Sequence, residues 1–356
     1  MAAVINSCIV GFGMSAQIFH APFLMANPGF NWMSVVERST NKGEQMKPGI
    51  ITFRDFEEAI QHKTVDLIII TTPNETHFPF AKRALEAGKH VVVEKPFTNN
   101  SEEAKELIEA ANRTGKVLSV YQNRRYVSDF LTIKKILAGK WLGGILEFEG
   151  HFDRYRPDPK PNAWREEEKP GSGILYDLGS HLIDQALCLF GLPRFIQADI
   201  CQQRPHAKVD DYFEVRLYYG TTKVILKAGM LVREPGPRYM IHGTKGSFIK
   251  NGEDPQEASL KKGMQPTDPQ YGMEEEKYYG LLHTEKDGVL IKKNIPSEKG
   301  NFGLYYSNLY EAIVNKAPVT ETAEHGFNTI RLIELALESN KTGCKLPCEG
   351  LIPVAY

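Results

Sequence analysis

The sequence predicts an α/β protein with an N-terminal doubly wound parallel sheet followed by a second α/β domain. Three observations lead there. The first third alternates short β-rich runs with helical patterns. Its strand candidates are apolar on successive residues (Leu67-Ile68-Ile69-Ile70, Val91-Val92-Val93), as suits strands buried on both faces of a parallel sheet. After about residue 124 the pattern changes to strands of clear alternation. At 356 residues the chain has room for two ordinary domains, placed at 1–124 and 125–356.

Strands are expected at residues 4–10, 32–36, 66–71, 90–94 and 117–121. Helices are expected at 16–26, 55–61, 77–87 and 101–114. The last opens on Ser101, carries a stripe of Ala104, Leu107, Ile108 and Ala111, and stops before Gly115. In the second domain a helix at 128–138 precedes strands at 145–151, 198–203, 212–219 and 223–229. In 212–219, Phe213, Val215, Leu217 and Tyr219 alternate with Glu214, Arg216 and Tyr218, so one face is covered and the other is left to solvent or a partner. Residues 251–280, rich in Gly, Pro, Glu and Lys, read as a long surface insertion or lid. Helices near 304–315 and 324–339 close the chain. No internal repeat is visible.

Composition narrows the function. With 43 Lys+Arg against 44 Asp+Glu, the net charge of −1 argues against a polyanion binder and so against nucleic acid. The 42% apolar and 24% charged residues are those of a soluble globular protein. No apolar run reaches the roughly 20 residues of a membrane helix. Residues 1–13 lack the basic start of a signal peptide. Cys8, Cys188, Cys201, Cys344 and Cys348 are scattered, which fits reduced thiols and a cytoplasmic protein. The ten histidines show no metal-binding spacing, and no metal is expected.

Five motifs carry chemistry. Gly11-Phe12-Gly13-Met14-Ser15-Ala16 follows a strand and opens a helix. Gly11 permits the tight turn, Gly13 lets backbone approach a pyrophosphate, and Ala16 keeps the helix close to the sheet. Alone, two glycines after a strand make only a turn; within an alternating α/β series they read as a dinucleotide site. The next strand ends Glu37-Arg38-Ser39. A carboxylate at that tip favours NAD, and Arg with Ser suits the 2′-phosphate of NADP, so register decides. At the third tip, Thr71-Thr72-Pro73-Asn74 and His77 stand at the ligand-binding edge. The fourth ends Glu94-Lys95-Pro96, where a cleft lysine can polarise a carbonyl or alcohol oxygen. The last motif runs from Gly171 to Asp184. If 176–190 is a helix, Asp177 and His181 share a face, and the carboxylate can orient an imidazole that exchanges a proton with a hydroxyl; a structural histidine is the plainer alternative.

This ordered set resembles the Gfo/Idh/MocA oxidoreductases, the family of glucose–fructose oxidoreductase and inositol dehydrogenase, over essentially the whole chain. The stretches Ser119-Val120-Tyr121-Gln122-Asn123-Arg124-Arg125, Asp153-Arg154-Tyr155-Arg156-Pro157 and Gly246-Ser247-Phe248-Ile249-Lys250 are similar to NADPH-dependent scyllo-inositol dehydrogenases, as is Gln256-Glu257-Ala258. The resemblance implies a Rossmann domain and a C-terminal α/β domain with a large open, mainly antiparallel sheet that pairs copies into homodimers or homotetramers. It implies hydride transfer between nicotinamide and a ring carbon of a cyclic polyol or sugar. Lys95 would contact the reacting oxygen, Asp177 would bind substrate and orient the site, and either His181 or Lys95 would move the proton. Asn123, Arg154, Tyr155 and Trp164 would line the substrate side, with Arg165 near the nicotinamide. The Glu37-Arg38-Ser39 tip departs from the plain acidic tip of NAD-preferring members and leans to NADP. Three alternatives stay open: another sugar or aldose dehydrogenase of the family, an NAD-retaining glycosidase, and a non-enzymatic dinucleotide-sensing regulator.

Overall fold

The computed structural model describes residues 3–160 and 163–356. The chain divides into two compact units, one made of the chain up to Tyr126 with Gln256–Tyr271 and Asn301–Phe327, the other of Val127–Pro255, Gly272–Gly300 and Asn328–Tyr356.

The first unit holds a six-stranded, all-parallel sheet. Its strands are β1 (Ile5–Val10), β2 (Phe30–Val36), β3 (Ile51–Phe53), β4 (Leu67–Ile70), β5 (His90–Val93) and β6 (Leu118–Val120), in the order β3-β2-β1-β4-β5-β6. This is the dinucleotide-binding strand order, with its reversal beside β1. Ile68, Ile69, Ile70, Val91, Val92 and Val93 are all buried, as their unbroken apolar runs require. Burial of such a side chain contributes about 1.5–3 kcal/mol. β3 escapes sequence reading because it is an edge strand of three residues with Ile51 exposed.

A division at residue 124 leaves out two returns of the chain to this unit. β6 is an edge strand whose backbone needs a partner. Val120 N donates to Glu321 O (3.1 Å), and the Ser119 and Tyr126 hydroxyls also bond Glu321. The helix Gly303–Val314 buries Tyr305 and Tyr306, and the Tyr305 hydroxyl donates to Ser119 Oγ (2.8 Å). The 251–280 segment, expected as a surface insertion or lid, contains a helix (Gln256–Lys261) and buried residues that include Asp254, Gln256, Leu260 and Tyr271. Gln256 donates to Tyr126 O (3.0 Å) and accepts from Phe302 N (2.8 Å). Its Gly- and Pro-rich composition hides these residues.

The second unit holds a nine-stranded mixed sheet, mostly antiparallel. Its strands are β7 (Ile145–His151), β8 (Phe195–Cys201), β9 (Tyr212–Tyr219), β10 (Thr222–Gly229), β11 (Tyr239–Gly243), β12 (Gly246–Lys250), β13 (Gly280–Lys286), β14 (Val289–Ile295) and β15 (Leu346–Pro347). They run β14-β13-β12-β11-β7-β10-β9-β8-β15, with only the β7–β10 pair parallel. Phe213, Val215 and Leu217 point into the core while Glu214, Arg216 and Tyr218 lie on the other face. β8 starts three residues before the expected 198. Near the edge, its Ala198 N and Ile200 N donate to Ser339 Oγ (3.1 Å) and Asn340 Oδ1 (2.9 Å) of the helix Ala323–Thr342. Among the described residues no helix is long and apolar enough to cross a membrane, and no group of His, Cys, Asp and Glu is arranged to hold a metal ion.

Candidate active site

In the first unit β1, β2, β4 and β5 run parallel and deliver their motifs to the same edge of the sheet. Gly11 has φ +82°, and a Cβ there would stand 2.8 Å from Thr72 Cγ2, so only glycine fits on both counts. The turn is pinned: Thr71 Oγ1 donates to Gly11 O (2.6 Å), Gln17 Nε2 donates to Phe12 O (2.9 Å), and buried Phe12 stacks on Trp32 at 5.3 Å. Nothing lies within 4 Å of where a Gly13 Cβ would sit, so that backbone faces open space, as a cradle for a pyrophosphate must. Met14 is exposed and Ala16 fully buried. The expected helix at 16–26 opens with a π turn (Ala16–His20) before the α turn Ala21–Ala26. Pro22, having no N–H, cannot continue a regular ladder there.

After β2, Glu37 is buried and already occupied. Its carboxylate accepts from Gly43 N (2.6 Å), Lys42 N (3.0 Å) and the Thr40 hydroxyl. Arg54 closes the same loop on Glu37 O (2.9 Å) and Thr40 O (2.6 Å). Arg38 and Ser39 remain exposed at its surface.

At the β4 tip, Pro73 precedes a short turn (Asn74–Thr76) in which Asn74 is buried. His77, also buried, is an internal strut: Nδ1 lies 2.8 Å from Pro96 O and Nε2 2.9 Å from Thr72 O. Burial pulls its pKa below the usual imidazole value.

The β5 tip is organised by Glu94. Its Oε1 takes His20 Nε2 (3.0 Å) and the Ser15 hydroxyl, its Oε2 takes Lys95 N (3.1 Å), and His20 Nδ1 meets the Tyr306 hydroxyl at 2.6 Å. Lys95 itself is half-buried, and the Lys95–Pro96 peptide is cis. Burial alone would raise the Glu94 pKa, yet the hydrogen bonds and charges of His20, Ser15 and Lys95 carry it down to about 2. A carboxyl depressed below its unfolded value of 4.5 contributes stability above that value and loses it as pH falls towards 2. Glu94→Gln removes this linkage, so its melting temperature falls less steeply between those pH values than that of the parent. Equal slopes in pH-dependent calorimetry would contradict the assignment.

The second unit carries the other set. The expected helix at 176–190 starts as a π turn (Leu175–Gly179) and continues as Ser180–Phe190. Asp177 thus sits in the widened turn, half-buried, and His181 is one residue into the regular helix, 5% exposed, its ring 6.4 Å from that of Phe152. Asp177 Oδ1 lies 3.5 Å from Arg165 Nε, and the Arg165 guanidinium covers the Trp164 ring at 4.4 Å. Arg154 stacks on Phe152 (5.2 Å), and Arg233 on exposed Tyr155 (3.9 Å). Asp153 accepts from Gly229 N (3.0 Å), and with Glu149 it raises the His151 pKa, the Asp153 hydrogen bond leading. Of the candidates, Gly11 to Ala16, Glu37 to Ser39, Thr71 to Asn74, His77, Glu94, Lys95 and buried Asn123 belong to the first unit. Arg154, Tyr155, Trp164, Arg165, Asp177 and His181 belong to the second.

Sequence reasoning passed over His20, Gln122, Arg204 and Asp210. Gln122, 2% exposed after β6, has a side-chain oxygen with no hydrogen-bond partner among the described residues. It stands within a quoted motif, so its position was visible and its burial was not.

Two family models match the chain: an oxidoreductase-family NAD-binding Rossmann fold over residues 5–122 and an oxidoreductase-family C-terminal alpha/beta domain over 134–347. The chain is 40% identical to the Bacillus subtilis protein named scyllo-inositol 2-dehydrogenase (NADP(+)) IolW, covering 94% of this chain and 93% of that one. It is also 40% identical to the uncharacterized oxidoreductase YdgJ of Escherichia coli, covering 94% and 95%. The solved structure of the oxidoreductase yvaA from Bacillus subtilis superposes with a TM-score of 0.95 at 39% identity, covering 98% of this chain and 99% of that one.

Proposed function

The chain belongs to the Gfo/Idh/MocA oxidoreductase family, and from that premise we propose that it interconverts a cyclic polyol and its ketone, of the scyllo-inositol and scyllo-inosose kind, with NADP as partner. Its Rossmann domain binds NAD(P). The observation that carries the NADP choice is the internal engagement of the Glu37 carboxylate by Gly43 and Lys42, with Arg38 and Ser39 left at the loop surface. A ribose 2′-phosphate matches that guanidinium and hydroxyl. The polyol assignment is supported by the likeness to IolW.

The cradle fits the cofactor, because the Gly13 backbone faces open space on the motif turn. Bound, the nicotinamide supplies or accepts the hydride. Lys95 holds the reacting oxygen and stabilises negative charge developing on it. His181 exchanges the hydroxyl proton, and Asp177 hydrogen-bonds the substrate, itself steadied by Arg165. A neutral polyol offers no ion pair, so Asn123, Arg154, Tyr155 and Trp164 contribute hydrogen bonds and stacking instead. In this reading the unit built on the parallel sheet binds the dinucleotide, and the unit built on the mixed sheet carries most of the substrate side and pairs copies through the open sheet face around Glu214, Arg216 and Tyr218. The protein works in the cytoplasm.

The test is loss of nicotinamide absorbance on mixing the protein with NADPH and scyllo-inosose, then with a panel of ketoses and aldoses. Oxidation with the inosose is the expected result. Turnover only of another sugar would overturn the substrate, and silence across the panel would overturn the enzymatic reading.

A further inference from the structure

Asp177 and Arg165 sit on two separate short turns, and both turns hang from one loop, residues 203–211. The turn Trp164–Glu166 is held through Glu166: Arg204 donates to Glu166 Oε2 (2.7 Å) and Oε1 (3.4 Å) and reaches the carbonyls of Arg156 and Asp158 (both 3.5 Å). Arg204 is 4% exposed, and it is fixed in turn by Asp211, fully buried. Asp211 accepts from Arg204 Nε (2.8 Å), Arg204 N (3.0 Å) and Gln203 N (2.6 Å). An arginine sequestered with two carboxylates in fork geometry has one arrangement, not many.

The neighbouring Asp210 holds the other turn. Its Oδ2 accepts from Leu175 N (2.8 Å) and its carbonyl from Ile174 N (3.1 Å), at the entry to the π turn. Gly173, at φ +86°, lets that carboxylate in, since a Cβ there would lie 1.9 Å from Asp210 Oδ1. The two turns are also tied together, by Gly173 N to Arg165 O (3.1 Å) and Ser172 Oγ to Trp164 O (3.2 Å).

We infer that Asp211, Arg204 and Glu166 form a positioning chain that sets Arg165 against Asp177, with Asp210 as the matching support of the Asp177 turn. The inference rests on the substrate-side reading of Asp177 and on its ion pair with Arg165. None of Asp211, Arg204 or Glu166 need touch substrate; they act through the turn.

Glu166 is the residue to change, being partly exposed (21% for its side chain) while Arg204 and Asp211 are core residues. In the full chain, Glu166→Ala is expected to raise KM for scyllo-inosose about tenfold while kcat and NADPH affinity stay within about twofold. Glu166→Gln, which keeps an acceptor for Arg204, recovers most of the loss. Arg165→Ala raises the same KM, and the double variant Arg165→Ala/Glu166→Ala is no worse than the worse single, because both act through one contact. Amide exchange of Gly173 and Glu167 quickens in Glu166→Ala, with the sheet amides unchanged.

Additive losses in the double variant, or an unchanged KM in Glu166→Ala beside a raised one in Arg165→Ala, would overturn the positioning chain and leave the substrate-side reading standing. An unchanged KM in Arg165→Ala, or no turnover of the inosose by the parent, would overturn that reading and the inference with it. Faster exchange throughout the second unit would reduce Glu166 to a fold-stabilising residue and also overturn the inference.

Discussion

Lys95→Ala and His181→Ala each lower turnover roughly 100- to 10,000-fold, the range a positioned proton-transfer or charge-stabilising group contributes, while NADPH affinity changes less than about twofold. The reason lies in how each residue is held. Lys95 follows β5, where Glu94 fixes the backbone through Lys95 N, His20 and Ser15. Removing the amine leaves that scaffold intact. His181 lies in the second unit, at the start of a helix whose preceding turn is supported by Asp210. Truncating it removes a ring that lies 6.4 Å from that of Phe152. The pH profiles of kcat separate the two roles. Loss of the group that moves the proton removes a limb from the profile; loss of the other lowers the whole curve. Near-parental rates in both variants would remove these residues from the site.

Arg38→Ala weakens NADPH roughly 10- to 100-fold and leaves NADH within about twofold. A charge-assisted hydrogen bond to a phosphate is worth about 1.5–3 kcal/mol, and about 1.4 kcal/mol is tenfold in affinity. NADH lacks the 2′-phosphate and has nothing to lose. The buried carboxylate one residue earlier makes a second outcome specific. Glu37→Gln weakens both cofactors together, because it loosens the loop held at Gly43 and Lys42. Were Glu37 a ribose ligand instead, its loss would fall on NADH alone. Equilibrium titration by quenching of protein fluorescence measures all four affinities, and equal losses of NADPH and NADH in Arg38→Ala would contradict the assignment.

Much of this was readable before any fold was known. The runs at Leu67–Ile70 and Val91-Val92-Val93 are buried on both faces and read as continuous apolar strands. The Gly11 turn declared itself by spacing, and its φ of +82° is the physical content of that glycine. What failed to show has causes too. β3 is too short and too exposed for any period to register. β11 and β12 are only five residues long and carry glycine at one end, and β14 is exposed along most of its length, so none shows a clear buried-and-exposed alternation in sequence. The π turns at Ala16–His20 and Leu175–Gly179 have no periodic signature of their own. Register was the open question at Glu37-Arg38-Ser39. Sequence sets a carboxylate beside a guanidinium, and only the fold turns Glu37 inward on Gly43 N. Arg204, 38 residues from Glu166, is paired with it by tertiary structure alone.

The most direct measurement of the central claim is isotopic. NADPH carrying deuterium at both nicotinamide C4 positions is incubated with the protein and scyllo-inosose, and the polyol is analysed by mass spectrometry and NMR. The account predicts one deuterium on the carbon that bore the carbonyl, transferred without exchange with water. An unlabelled polyol, or deuterium appearing in solvent, would contradict it.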